Sequence, residues 1–106
     1  MQADNNRLQN ALGLAMKAGK CVSGDFAVEK AVREGLARLV LLDETASQST
    51  KERYHRLCTR VGVEIVTLTA LGQAIGKPAR MIAALTDDNM CRMMQGALAS
   101  RDRNGR

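Results

Sequence analysis

Ser23 and Gly24 open a helix that carries Lys30 and Arg33 and is closed by Gly35, with Lys20 just upstream. A glycine at a helix entrance lets another backbone come close. The first amides of a helix lack partners within it and attract anions. The helix dipole disfavours a lysine in the second turn, and that small cost fits a role for Lys30 beyond solubility. The chemistry these residues suit is non-covalent: a grip on a phosphate or a base edge. A plainer reading uses the same residues, with Ser23 or Asp25 as a helix cap and Glu29 paired with Arg33 at i, i+4.

Ile75-Gly76-Lys77-Pro78-Ala79-Arg80 is the second candidate, with two cations and the only proline of the chain. It belongs beside the first entrance if the strands after Lys20 and Arg80 share an end of the sheet. Otherwise it is a helix-stop turn, glycine then proline, with solvated charges. Arg53, Arg56 and Arg60 form a stripe opposite the apolar face of their helix, and Glu52 is placed to pair with Arg56. Such a stripe reads as a solvated outer face and background charge.

No pattern of residue type and spacing makes a catalytic centre. His55, the only histidine, has no serine–carboxylate arrangement around it. Gly19-Lys20 and Gly76-Lys77 lack the rest of a phosphate-loop motif, and no G-x-G-x-x-G is present. Asp87 and Asp88 read as a helix-start cap. Cys21, Cys58 and Cys91 are odd in number and far apart, against both a disulfide scaffold and a zinc site. They read as small core residues in a reducing cytoplasm. No cofactor or metal is expected.

Glycine marks the elements that must hold these groups. Gly19, Gly35, Gly62 and Gly76 each follow a helix-like segment and precede a strand-like one. The spacing predicts a first helix over Asn5–Ala18 and a short strand Lys20–Ser23. The second helix ends near Glu34, and the apolar strand Arg38–Leu42 is covered on both faces. A loop spans Asp43–Ser49, and the third helix Ser49–Val61 turns Tyr54, Leu57, Cys58 and Val61 inward. A strand Glu64–Leu68 leads to a short helix capped by Thr69 and running through Ile75. After the loop Lys77–Arg80 come a strand Met81–Leu85 and a last helix with Met90, Met94, Ala97 and Leu98 inward. Alternating helices and strands imply an α/β fold, a three-layer α/β/α sandwich around a small four-stranded sheet. One domain fills residues 1–100, and Arg101–Arg106 is expected as a frayed basic tail.

The 106 residues suit one core, and 45% hydrophobic content argues against disorder. A net charge of +5 favours a polyanionic partner, though the same charge also keeps a small protein soluble. Aromatic content is 2%, Phe26 and Tyr54 alone, which argues against tracking a single strand by base stacking. Residues Met1 to Arg7 carry no apolar signal segment, and Leu39–Leu42 and Ile82–Leu85 are too short to span a bilayer, so no membrane partner is expected.

Several motifs in order give the chain a family likeness. They are Leu12-Gly13-Leu14-Ala15 with Lys17-Ala18-Gly19-Lys20, then Ser23-Gly24 with Lys30 six residues after the glycine. Arg38-Leu39-Val40-Leu41, Leu71-Gly72, Ala74-Ile75-Gly76-Lys77 and Thr86-Asp87 follow. Over about Leu12 to Leu98 the chain resembles the L-seven-Ae/L-thirty-e group of ribosomal and kink-turn RNA-binding proteins, in particular its short bacterial YlxQ-like members. The resemblance implies a mixed sheet in an L-thirty-e-like sandwich and binding of structured RNA without catalysis. By position, Gly24 and Lys30 stand at the family's glycine and lysine, whereas Phe26 and Ala27 occupy its asparagine and glutamate positions. Those two side chains cannot make the polar base contacts.

The candidate RNA-binding residues are therefore Lys20, Ser23, Gly24, Asp25, Phe26, Ala27, Lys30, Arg33, Ile75, Lys77, Pro78 and Arg80. The expected partner is structured, ribosomal-type RNA bound by a cytoplasmic monomer. The alternatives are a substrate-RNA recognition partner of an RNA-modifying enzyme and a protein-interaction module.

Overall fold

The computed structural model describes the backbone of residues 2–104 and the side chains of residues 7–99. Helices and strands alternate: α1 (Gln2–Lys17), β1 (Cys21–Ser23), α2 (Asp25–Arg33), β2 (Leu39–Asp43), α3 (Gln48–Val61), β3 (Ile65–Leu68), α4 (Leu71–Ala74), β4 (Ile82–Leu85) and α5 (Asp88–Asn104). The sheet order is β1-β4-β2-β3. β4 runs antiparallel to both neighbours, and β2 runs parallel to β3.

Successive side chains of a strand point to opposite faces, and β2 distributes its apolar run accordingly. Leu39 and Leu41 join the core formed with α1, α4 and α5, including Leu12, Leu71 and Met94. Val40 and Leu42 join the core formed with α2 and α3, including Val28, Val32, Tyr54 and Leu57. The result is the three-layer α/β/α sandwich with a mixed four-stranded sheet. Gly19, Gly35, Gly62 and Gly76 all have positive φ, as helix-terminating glycines should. The three cysteines are buried, and burial pushes the Cys21 thiol up to about 11, a packing role and not a nucleophile's.

Four details depart from the sequence expectations. Val61 is 44% exposed, because it lies in the last turn of α3, beyond the sheet contact made by Tyr54, Leu57 and Cys58. Asp43 is the buried last residue of β2 and not the first of a loop. Thr69 does not cap α4. Ala70 occupies that position in the left-handed conformation with no side-chain capping bond, and the Leu71 amide instead donates to the Asp43 carboxylate at 2.8 Å. A carboxylate from the end of a central strand thus starts the helix that leads into the 77–80 loop. Finally, α5 extends to Asn104, into the stretch expected as a frayed tail; residues 105–106 lie outside the described residues.

Candidate nucleic-acid interface

Ladder register puts the two candidate stretches together. In the β1–β4 pair, Ser23 faces Ala83, so the end of β1 and the start of β4 lie at one end of the sheet. The Gly24 amide donates to the Ile82 carbonyl at 3.0 Å, extending the ladder to the threshold of α2. Gly24 has φ 94° and ψ 155°, a combination essentially reserved to glycine. α2 starts immediately afterwards with no side-chain cap, so neither Ser23 nor Asp25 fills that role. Its leading amides stay available to an external acceptor.

Arg80 comes back from the loop onto this entrance. A Cβ at residue 24 would meet the Arg80 guanidinium, with Nη1 only 2.0 Å away. The same nitrogen donates to the Ser23 carbonyl at 3.3 Å. Gly24 is therefore covered, but by the far end of a flexible, exposed side chain and not by another element. Among the described residues no carboxylate pairs with Arg80 or Lys77. The loop itself is seated by Gly72 of α4, where a Cβ would meet the Pro78 carbonyl oxygen at 2.6 Å and that of Lys77 at 2.7 Å. Lys77, Pro78 and Arg80 are exposed.

The entrance is anchored from below by α3. Tyr54, fully buried, donates its hydroxyl to the Asp25 carbonyl at 2.9 Å and also to the Asp25 carboxylate. Arg53 donates to both Asp25 oxygens at 2.8 Å and to Glu29 at 3.0 Å, with its guanidinium carbon 4.7 Å from the Tyr54 ring centre. The Tyr54 and Arg53 hydrogen bonds hold the Asp25 carboxyl below the usual carboxylate range. Burial and the Asp25 carboxylate push the Tyr54 hydroxyl in the opposite direction. Asp25, expected as a contact at the entrance, is thus engaged internally, and Arg53 is not background charge. One signal pointed to this clamp: the chain's only tyrosine lies on an apolar helix face, and a buried phenol needs a partner.

The other candidates divide. Lys30 is exposed, within 3.2 Å of Glu34, and Arg33 pairs with Glu29 at 2.9 Å. Exposed i, i+4 pairs of this kind are worth only about 0.3–0.5 kcal/mol, so an incoming phosphate can compete for either cation. Ala27 and the Ser23 side chain are half-buried at the rim. Phe26 stands out at 82% exposure, a ring projecting into solvent. Two expected contributors fall elsewhere. Lys20 lies at the opposite end of β1, about 13 Å of extended chain from Gly24 at ~3.3 Å per residue, beside Asp87 at 3.7 Å. Ile75 is only 5% exposed, because it faces the core with Leu71 from the C-cap of α4, and it cannot touch a ligand directly.

The arrangement is suited to holding an extended anion by charge and backbone amides. Among the described residues no group of histidine, cysteine or acidic side chains is placed to hold a metal ion, and no helix is long and apolar enough to cross a membrane.

Known proteins share this framework. Two curated relatives bear the name RNA-binding protein YlxQ. The one from Bacillus subtilis (strain 168) is 42% identical over 79 residues, covering 72% of this chain and 79% of that protein. The one from Enterococcus faecium is 27% identical over 94 residues, covering 86% and 90%. A solved structure of a protein with unknown function from Bacillus halodurans C superposes with a TM-score of 0.81 at 28% identity, covering 87% of this chain and 96% of that one. The Giardia lamblia 15.5kD RNA binding protein superposes at 0.73 with 18% identity, covering 95% and 89%, a likeness of fold. A family model matches residues 6–94, nearly the whole sandwich, and the chain belongs to the Ribosomal protein L7Ae/L30e/S12e/Gadd45 family.

Proposed function

We propose that this protein binds structured RNA, without catalysing a reaction, through the entrance of α2 and the Lys77–Arg80 loop. The observation that carries the reading is the packing of Arg80 onto Gly24, which joins an uncapped helix start to a loop whose cations have no carboxylate partner among the described residues. Anions are attracted to such a helix start, and phosphates dominate protein–RNA affinity. The relatives named RNA-binding protein YlxQ support the same partner class. The RNA is a sharply bent, kink-turn-like element of ribosomal type, met in the cytoplasm. A ring projecting at Phe26, two residues beyond the Gly24 that Arg80 covers, fits an opened groove better than a regular A-form helix, whose deep groove side chains cannot enter.

The test is a titration of a kink-turn oligonucleotide with tandem sheared G·A pairs against a fully paired duplex of equal length, across salt. Three to five neutralised phosphates give log K against log salt a slope of about −2 to −4, taking the single-strand coefficient. The kink-turn RNA should bind more tightly than the duplex. A flat slope, or equal binding of both RNAs, would remove the proposal.

A further inference from the structure

Phe26 has no structural task within the described chain. It is 82% exposed, more than any other large apolar side chain described. A ring left this exposed gains almost none of the burial that stabilises a core. It stands two residues beyond Gly24 and one helical turn before Lys30. Shallow clefts open on both sides of the ring, of about 410 Å³ and 570 Å³, and Phe26 and Lys30 line both. A flat object can therefore reach either face of the ring without moving the helix, with an ammonium group in reach of its edge or its phosphate.

We infer that Phe26 is a stacking platform for one unpaired base of the bound RNA, with Lys30 holding that nucleotide's phosphate or base edge. The inference rests on the RNA-binding reading and assigns the chemistry of its central contact. Ala27, the next residue, has no polar group to offer a base. Recognition here then comes from the shape of the bent RNA and the presence of an extruded base, not from polar reading of base edges. A ring stacks on any base because every base has a π-face. One exposed ring serves one base, which keeps this distinct from tracking a single strand. The smaller cleft is ringed by Glu29, Lys30, Arg33 and Glu34, charge of which the centre of a protein interface is depleted. The larger is lined by Val22, Ala27, Ala31 and Leu36 with Lys30, Glu34 and Thr86, and a protein partner there is one outcome of the test below.

The probe is the kink-turn oligonucleotide with 5-iodouridine in its unpaired bulge, and the protein is the full chain. Irradiation should crosslink the base to Phe26, read by peptide mass spectrometry. Phe26→Ala should lose about tenfold in affinity, and Phe26→Tyr should retain it, since one stacked base is worth several-fold or more by alanine substitution. Replacing the G·A pairs with A·U pairs, in an RNA held bent by a chemical tether, should change affinity less than twofold. Because Phe26 is exposed, both variants should melt with the parent protein, which separates stacking from folding. Parent-like RNA affinity of Phe26→Ala, with the crosslink elsewhere, overturns this inference and leaves the RNA-binding reading standing. If Phe26→Ala instead loses only a protein partner, the ring is a protein-docking residue and the inference is equally overturned. Failure of the parent protein to bind the oligonucleotide overturns both.

Discussion

The Arg80 guanidinium lies directly over Gly24, its Nη1 2.0 Å from where a Cβ would stand and 3.3 Å from the Ser23 carbonyl oxygen. Two obstacles to a side chain coincide there, and they separate experimentally. The Arg80 side chain is exposed and can swing away. The backbone at φ 94°, ψ 155° cannot, and a non-glycine residue there costs about 1–3 kcal/mol. Gly24→Ala should lower the melting temperature by several degrees, at about 4–8 °C per kcal/mol for a domain near this size. Adding Arg80→Ala should not restore it. A full rescue by Arg80→Ala would mean that crowding by the guanidinium, and not the backbone, is what glycine relieves.

Lys30 and Arg53 should respond to alanine in opposite ways. Lys30 is an exposed cation with one weak partner, Glu34. Its removal should leave stability within about 0.5 kcal/mol, weaken RNA binding several-fold, and make the salt slope shallower by about 0.7. Arg53 ties Asp25 and Glu29 to the face of Tyr54. Arg53→Ala should lower the melting temperature and leave the salt slope unchanged, because its positive charge is already committed. Melting curves and salt titrations on the two variants check both halves, and a salt slope that shifts equally in both would show that Arg53 reaches the RNA.

Asp43 makes the protein sensitive to acid. Burial pushes its carboxyl up from the ordinary 3.8, but donation from the Thr45 side chain and amide and from the Leu71 amide outweighs that and holds it low. Asp25 is held low by Tyr54 and Arg53. A carboxylate depressed in the folded state contributes stability that is fully present above its unfolded value and is lost as pH falls through the folded value. The melting temperature should therefore hold above about pH 5 and decline below about pH 4. Asp43→Asn keeps the shape but replaces one of the two accepting oxygens with an NH2 donor that faces the Thr45 or Leu71 amide, costing about 1–3 kcal/mol at neutral pH and flattening the acid limb. Melting from pH 2 to 6 checks this, and parallel curves for Asp43→Asn and the parent would exclude Asp43 as a source of the limb.

Local chemistry was readable in the sequence, and long-range pairing was not. The glycines that end helices, the doubly covered strand Leu39–Leu42, and the cap at Asp87, whose carboxylate accepts from the Met90 amide at 3.0 Å, follow from neighbours a few residues away. The Asp43 bond to Leu71 spans 28 residues, and the Tyr54 clamp on Asp25 spans 29. Nothing in the spacing of either pair marks it. An acid closing an apolar strand and a lone tyrosine on an inward face each signal an unmet hydrogen bond, but only the sheet order says with whom. Lys20 shows the reverse error. It is near Gly24 in sequence, but an extended strand carries consecutive residues apart, whereas the ladder brings Arg80 across 57 residues to the Ser23 carbonyl beside Gly24.

Gly72 should prove as demanding as Gly24 for a different reason. Its backbone is ordinary helix, but a Cβ would meet the carbonyl oxygens of Pro78 and Lys77 at 2.6 and 2.7 Å, and backbone cannot swing aside as a side chain does. Gly72→Ala must push the 77–80 loop outward, at a cost typical of overpacking, about 1–3 kcal/mol. The displaced loop draws Arg80 off the α2 entrance. Gly72→Ala should then lose RNA affinity beyond what Arg80→Ala alone loses, because Lys77 moves too. In the double variant the two losses should fall short of additive, since both act through the same guanidinium. Strict additivity in a double-mutant cycle, measured with the kink-turn oligonucleotide, would show that the loop's seat on α4 and the Arg80 contact work independently.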